Sequence, residues 1–110
     1  MSDSPSLDRI DHLAIPVEDI GRAVDWYLSR FATRVVYQDQ TWALLEFANV
    51  RLALVLPRQH PAHIALRRAD AERFGPLTRH RDGTRSIYVQ DSEGNSVEIM
   101  ALGPEPTTGS

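Results

Sequence analysis

The sequence predicts an α+β fold made of two similar sheet modules, each covered by a helix on one face. Residues 9–57 read as a strand, a helix and three further strands, and the same order begins again at residue 63. The segment HIAL at 63–66 also echoes HLAI at 12–15. These observations predict an internal repeat of about 50 residues, with a shorter second copy.

The elements of the first module follow from the spacing of its apolar residues. A period of two in residues 9–16 places Ile10, His12 and Ala14 on one face of a strand and Asp11, Leu13 and Ile15 on the other. Asp19 fits the N-cap of a helix whose apolar stripe is Ile20, Ala23, Val24, Tyr27, Leu28 and Phe31. Residues 34–38 form a strand, and residues 41–47 and 50–57 form a hairpin across Ala48-Asn49.

The second module repeats this order in less space. Residues 63–66 form its first strand, and residues 69–77 form a short helix that ends near Gly75-Pro76. Residues 84–91 and 95–100 form a closing hairpin across a turn at 92–95. We therefore expect one domain at 9–102, with module one at about 9–57 and module two at about 60–102, between disordered ends at 1–8 and 103–110.

Composition excludes several classes of function. The chain has 110 residues, 42% of them hydrophobic and 25% charged, and a net charge of −3, so nothing favours binding to nucleic acid or to an anionic membrane. Basic residues at 67–68 and 79–85 are mixed with acids and are expected to be solvated. The chain has no cysteine, which excludes thiolate metal sites and a cysteine nucleophile. With neither a long apolar run nor a secretory signal pattern, we expect a cytoplasmic protein.

Three polar residues lie on strand faces opposite the apolar ones. The period of two places His12 beside Ala14 and His63 beside Ala65, at equivalent positions of the repeat, and it separates Glu98 from Val97 and Ile99. Two imidazoles and one carboxylate with open positions form the facial triad typical of non-haem Fe(II), which can also hold Mn(II) or Zn(II). A single residue of this kind is more often a hydrogen-bonded or solvated side chain than a ligand, whereas the combined pattern favours a metal as much as not, so both interpretations stay open at this point.

Two segments carry a family resemblance: HLAIPVED at 12–19, followed by Asp25-Trp26-Tyr27, and SIYVQDSEGNSVEI at 86–99. They resemble the vicinal oxygen chelate superfamily, which includes glyoxalase I, bleomycin resistance proteins, fosfomycin resistance enzymes and extradiol ring-cleaving dioxygenases. In the second segment Ser92 replaces the usual proline. The resemblance covers residues 9–101. It implies two βαβββ modules that form a curved mixed sheet around a metal cleft.

The resemblance also implies the ligands, the metal and the assembly. Carried over position by position, the metal ligands fall on His12, His63 and Glu98. Fe(II) is the first expectation, with Mn(II), Zn(II), Ni(II) or Co(II) as alternatives. Family members often form dimers with shared sites, so we expect a homodimer, and the resemblance leaves open whether His12 joins the other ligands from the same chain or from a partner.

Comparison of the family's branches narrows the chemistry. Glyoxalase I-like enzymes usually have a fourth ligand, a Glu, whose matching position here is Leu52 or Ala53, while Glu46 is a weak substitute. This disfavours an isomerase of that type. The bleomycin-binding branch lacks the metal ligands, which are present here. In the fosfomycin resistance branch Ser86 and Tyr88 match substrate-binding positions, but the basic anion-binding positions do not match.

The extradiol dioxygenase branch fits better. Its substrate-orienting Tyr stands ten residues before the Glu ligand, as Tyr88 does before Glu98. We therefore expect a dioxygenase-like metal enzyme that acts on a small aromatic or oxygen-chelating substrate. In this hypothesis Tyr88 orients the substrate, His80 or His60 transfers a proton, and Arg51 and Ser86 contact the substrate. The alternatives are a fosfomycin-resistance-like transferase, a glyoxalase-like lyase or isomerase, and a non-catalytic module that binds a small drug or metabolite.

Overall fold

A computed structural model of the protein describes residues 7–102 and confirms the predicted α+β fold. The elements are β1 (Arg9–Pro16), α1 (Ile20–Arg30), β2 (Arg34–Gln38), β3 (Trp42–Glu46), β4 (Arg51–Val55), β5 (His63–Arg68), a 3-10 helix (Ala71–Phe74), β6 (Thr78–Arg79), β7 (Arg85–Gln90) and β8 (Ser96–Ala101). The eight strands form one mixed sheet in the order β2-β3-β4-β1-β5-β8-β7-β6.

The predicted disorder at 1–6 and 103–110 lies outside the described residues. Leu7 and Asp8, the last two residues of the predicted disordered N-terminus, are exposed and precede β1. The Asp8 carboxylate accepts a hydrogen bond from Arg68 at 2.8 Å. The domain boundaries themselves stay a prediction.

The two modules meet at the centre of the sheet. Within each module the first strand lies parallel to the last, because β1 pairs with β4 and β5 pairs with β8. Between the modules β1 and β5 pair antiparallel, and we call this pair the seam. The seam therefore places the two strands that carry His12 and His63 side by side in one chain.

Helix α1 covers the face of module one that lies away from these histidines. Asp19 caps it as predicted, because its carboxylate accepts a hydrogen bond from the backbone N–H of Arg22 at 2.9 Å. Ile20 and Val24 pack on Ala43, Leu45 and Leu54 in the core. The predicted apolar stripe is wrong at its C-terminal end, where Leu28 and Phe31 are exposed. No helix within residues 7–102 has the length and the apolar character needed to cross a bilayer.

Module two has a thinner cover. The predicted short helix is a single 3-10 turn, Ala71–Phe74, whose buried Ala71 packs with Ile99 and Ala101. Gly75 ends this turn at φ 139°, a backbone conformation that favours glycine, and a Cβ atom there would lie 2.4 Å from Cδ1 of Ile87 and require that side chain to move. The two-residue strand β6 was not predicted, because two residues are too short for a period to be recognised.

A bulge in β1 corrects one assignment of strand faces. The register of β1 against β5 shifts between Ile10 and His12, so Asp11 has no partner in the ladder. Ile10 pairs with Leu66 and His12 pairs with Ala65, and neighbouring residues of β5 point to opposite faces. Ile10 therefore lies on the helix-covered face rather than beside His12, as the uninterrupted period had placed it.

Candidate metal centre

The strand register brings His12, His63 and Glu98 together on the face of the sheet that the helices leave open. His12 of β1 pairs with Ala65 of β5, which in turn pairs with Glu98 of β8. His63 stands two residues before Ala65 and therefore shares its face. Because cross-strand partners point to the same side, the three side chains converge on one point.

The ligand atoms of this triad lie close enough to share one ion. Nε2 of His12 is 3.3 Å from Nε2 of His63, and the two nitrogens lie 3.5 Å and 3.2 Å from Oε1 of Glu98. The side chains are 15%, 5% and 7% exposed, so the group is almost closed to water. All three residues belong to one chain, so the triad does not need His12 from a partner.

Hydrogen bonds on the outer side of each imidazole fix its orientation. Nδ1 of His12 lies 2.7 Å from a carboxylate oxygen of Asp11, and Nδ1 of His63 lies 2.9 Å from the backbone carbonyl oxygen of Pro61. Both partners can only accept at neutral pH, so each Nδ1 carries a proton and donates it. Outer partners of this kind are usual for histidines that bind metals through the other nitrogen.

The donor chemistry of the triad fits a divalent cation. With both Nδ1 atoms protonated, a neutral His12 and a neutral His63 direct their Nε2 lone pairs at the same point as Oε1 of Glu98. Three lone pairs that meet in a nearly dry site repel one another unless a proton or a metal ion lies between them. Two imidazole nitrogens and one carboxylate oxygen within 4.8 Å of one another suit Fe(II), Mn(II) or Zn(II).

The second oxygen of Glu98 is held from behind. The Ser86 hydroxyl donates to Oε2 of Glu98 at 2.7 Å and lies 2.7 Å from Nε2 of His80, from which it accepts. Ser86 is 1% exposed. Its burial favours a role in orienting Glu98 over the predicted contact with substrate, which no observation supports. His80 lies behind the carboxylate, 3.8 Å from Oε2, with its side chain 36% exposed.

Charge and burial act in opposite directions on the protonation of the triad. Burial disfavours the imidazolium of His12, but hydrogen bonds to Asp11 and Glu98 and their negative charges outweigh it and raise the pKa of His12 to about 9. Burial would raise the pKa of Glu98, but its contacts with His12, His63 and Ser86, together with the positive charge of His12, hold that pKa well below its usual range. Without a metal, His12 therefore carries the positive charge that balances Glu98 at neutral pH.

Tyr88 stands beside the triad at the rim of the open face. It pairs with Glu98 across β7 and β8, and its ring meets the ring of His63 edge-on at a centroid distance of 5.2 Å. Partial burial and the negative charge of Glu98 raise the pKa of Tyr88 above its ordinary value. The hydroxyl therefore keeps its proton at neutral pH and can donate a hydrogen bond to an oxygen of a ligand.

Two residues that bear on the site escaped prediction. Asp11 holds His12, and Arg67, which was expected to be solvated, donates to the Asp11 carboxylate at 2.6 Å. Asp11 was placed on the covered face because the bulge is not visible in the sequence. The available signal was a carboxylate assigned to the same apolar strand face as Leu13 and Ile15.

The remaining predicted residues fall into different places. Arg51 pairs directly with His12 in the register and also donates to Asp11. His60 is exposed in the connection between β4 and β5, and within residues 7–102 no side-chain contact joins it to the triad. The sheet thus brings together every predicted site residue except His60.

The register also settles which residue takes the place of a fourth ligand. In module two Glu98 pairs with Ala65, and in module one the equivalent pair is Ala53 with Ala14. The matching position is therefore Ala53, which has no donor atom, while Leu52 faces α1. Glu46 is bound to Arg34 at 2.6 Å. Among the described residues the centre accordingly has three side chains that could bind a metal, and no fourth donor at the matching position.

Comparison with known proteins supports the fold. No protein-family model and no curated protein matches the chain. A hypothetical protein from Bacillus halodurans aligns with a TM-score of 0.72 at 13% identity, over 94% of this chain and 100% of that one. Methylmalonyl-CoA epimerase from Mycobacterium tuberculosis aligns with a TM-score of 0.68 at 19% identity, over 94% and 93%.

A third solved structure carries a superfamily description. It is a glyoxalase/bleomycin resistance protein/dioxygenase superfamily member from Vibrio splendidus, with a TM-score of 0.67, 12% identity and coverage of 86% of this chain and 98% of that one. Identities this low bear on the fold and not on the activity. The chain has the fold of the glyoxalase/bleomycin resistance protein/dioxygenase superfamily, and the resemblance to vicinal oxygen chelate proteins is confirmed at the level of the fold.

Proposed function

We propose that the protein is a divalent-metal enzyme in which His12, His63 and Glu98 bind the metal and the reaction is dioxygenase-like. The observation that carries the proposal is the convergence of two Nε2 atoms and one carboxylate oxygen on one point, with each Nδ1 atom facing an acceptor on its outer side. Without a metal this group has to take up a proton on His12, and a buried ion pair of that kind contributes little to stability by itself. We propose Fe(II) first, with Mn(II), Zn(II), Ni(II) or Co(II) as alternatives.

The side chains around the centre would divide the remaining tasks. When bound, the metal supplies Lewis acidity and, as Fe(II), redox chemistry towards dioxygen. Tyr88 donates a hydrogen bond to a substrate oxygen, because its hydroxyl stays protonated and partly exposed at the rim. Proton transfer falls to His80 rather than to His60, because the ring of His80 reaches the Ser86–Glu98 pair while part of its side chain meets solvent.

The number of ligands favours this chemistry over a glyoxalase-like isomerisation. Ala53 occupies the position at which that branch has its fourth ligand, so three protein side chains would hold the metal here instead of four. The positions that the protein leaves open would be available to a chelating substrate and a small co-substrate. The substrate that we propose is a small aromatic or oxygen-chelating molecule with two neighbouring oxygens.

Metal identification combined with O₂ uptake tests the proposal. Protein purified without chelators is analysed for Fe, Mn, Zn, Ni and Co, and the Fe(II)-loaded form is given a panel of catechols in an oxygen electrode. We expect O₂ uptake that is lost after chelation and in Glu98→Gln, but kept in Glu93→Gln, a matched change in the exposed turn before β8. A metal-loaded protein without O₂ uptake would reject the dioxygenase assignment and leave the lyase and transferase alternatives.

Ligand binding that survives both chelation and His12→Ala would reject a metal enzyme and indicate a non-catalytic binding module. The homodimer and the cytoplasmic location remain predictions. Light scattering coupled to gel filtration tests the first of them.

A further inference from the structure

Two arginines share one carboxylate beside the triad. Nη2 of Arg51 donates to both oxygens of Asp11 at 3.0 and 3.1 Å, and Nε of Arg67 donates to Oδ1 at 2.6 Å. The Asp11 side chain is 6% exposed, whereas the arginine side chains are 34% and 31% exposed. The cluster therefore carries one unbalanced positive charge, and it lies on the partly exposed groups.

Within residues 7–102, most of the hydrogen-bond capacity of these arginines is still available. Each guanidinium has five N–H donors, and Asp11 engages a single nitrogen of each. Both arginines line a groove together with Arg9 and the turn between β3 and β4. The other acid in the groove, Glu46, is already bound to Arg34 at 2.6 Å. The groove is thus lined by cationic donors that can bind a further anion.

The position of Arg51 relates this groove to the triad. Arg51 pairs with His12 in the parallel register, so its backbone is one strand spacing, about 5 Å, from that of the ligand. Asp11 lies between the two, since it binds Nδ1 of His12 on one side and the guanidiniums on the other. Arg51 and Arg67 thus stand on the same open face as the triad, and the groove that they line includes Asp11 but no residue of the triad.

We propose that Arg51 and Arg67 form a carboxylate subsite, so that the substrate carries a carboxylate in addition to its two chelating oxygens. The inference rests on the proposed function, whose substrate class it narrows. Paired guanidiniums match the planar geometry of a carboxylate, and one unbalanced charge matches a monoanion better than a phosphate dianion. At the triad, a divalent cation bound by the single negative charge of Glu98 would keep one positive charge. The two chelating oxygens of the substrate, and not its carboxylate, would balance that charge.

Binding to the Zn(II)-loaded protein tests the subsite without turnover. Calorimetry compares the affinity for catechol with the affinity for its 3- and 4-carboxylates. The proteins are wild type, Arg67→Gln, Arg67→Lys and the control Arg22→Gln, which removes one positive charge from the exposed side of α1. We expect at least one carboxylate to bind about 10-fold or more tighter than catechol in wild type, and this preference to fall about 10- to 100-fold in Arg67→Gln, with catechol itself unchanged. Arg67→Lys keeps the charge and should retain part of the preference, and melting curves verify that each variant folds.

The outcomes separate this inference from the proposed function. Equal affinity for catechol and both carboxylates, or an equal loss in Arg22→Gln, overturns the subsite while the metal centre stands. If Zn(II)-loaded protein binds no catechol, the proposed function fails, and benzoate and inorganic phosphate are titrated against the chelated protein. Arg67-dependent binding of benzoate then supports the subsite. Its absence, or stronger binding of phosphate, overturns the carboxylate assignment.

Discussion

Metal binding at neutral pH is expected to release about one proton, and that proton comes from His12. The pKa of His12 in the protein without metal is about 9, because Asp11 and Glu98 stabilise the imidazolium more than burial destabilises it. A metal needs the neutral ring, since it binds the Nε2 lone pair. Glu98 releases no proton, because its pKa lies below its usual range and it is already ionised.

The magnitude follows from the distance between the pKa and the working pH. At pH 7, two units below the pKa of about 9, removal of the proton costs about 2.7 kcal/mol. Apparent metal affinity at pH 7 should therefore be about 100-fold below its value above pH 9. Between pH 6.5 and 8.5 the logarithm of the affinity should rise with a slope of about one per pH unit.

Competition with a chromophoric chelator gives the affinity, and calorimetry in two buffers of different ionisation enthalpy counts the protons. Asp11→Asn keeps an acceptor for Nδ1 but removes the charge, so it should lower the pKa of His12 and flatten the slope. Asp8→Asn, whose side chain is 53% exposed and pairs with Arg68, is the matched control and should leave the slope unchanged. An affinity that is flat from pH 6.5 to 8.5 in wild type would refute the assignment of the charge to His12.

Three further predictions test the same centre. In chelated protein the pKa of His12 is about 9 in the folded state, against the ordinary value of 6.5 in the unfolded chain. This difference stabilises the fold fully below pH 6.5, and the stabilisation is lost as the pH rises through 9. The melting temperature should therefore fall across that window in wild type and not in His12→Gln. Glu98→Gln keeps the shape but loses the charge and should weaken metal binding by more than about 100-fold, beyond the loss typical of outer partners, while Glu93→Gln does not. Ser86→Ala leaves Oε2 of Glu98 without its donor and should weaken metal binding about 10- to 100-fold without abolishing it. The same chelator competition measures this loss. An affinity equal to that of Ser29→Ala, a control on the exposed side of α1, would show that the Ser86 hydroxyl does not orient Glu98.

The period of two predicted the candidate site because the site is made of strands. His12 stands directly after the bulge, where β1 becomes regular, and His63 and Glu98 stand on regular stretches of β5 and β8, so alternation placed each on the open face. The turn before β8 holds that register, since Asp91 accepts hydrogen bonds from the backbone N–H groups of Glu93 and Asn95 at 2.8 and 2.9 Å. A sequence pattern of this kind survives folding because pairing preserves the faces.

The parts that escaped prediction depend on contacts between distant segments. The bulge at Asp11 arises from pairing with β5, which no local pattern in residues 9–16 encodes. Arg67 reaches Asp11 from 56 residues away, and the single 3-10 turn depends on the close approach of Gly75 to Ile87. The histidine positions were recognisable, but the residues that set their protonation were not.

The repeat gives the centre its three-ligand character. Each module contributes its first strand to the seam, so the two histidines occupy equivalent positions and meet across β1 and β5. The last strands are equivalent as well, but one carries Glu98 and the other Ala53 at the matching position. A symmetric pair of modules would give two histidines and two carboxylates, whereas this chain gives one carboxylate and open positions. Because each ligand stands on a paired strand, the spacing of the ligand atoms depends on the register between modules and not on a loop. The seam therefore sets the geometry on which the proposed metal binding depends.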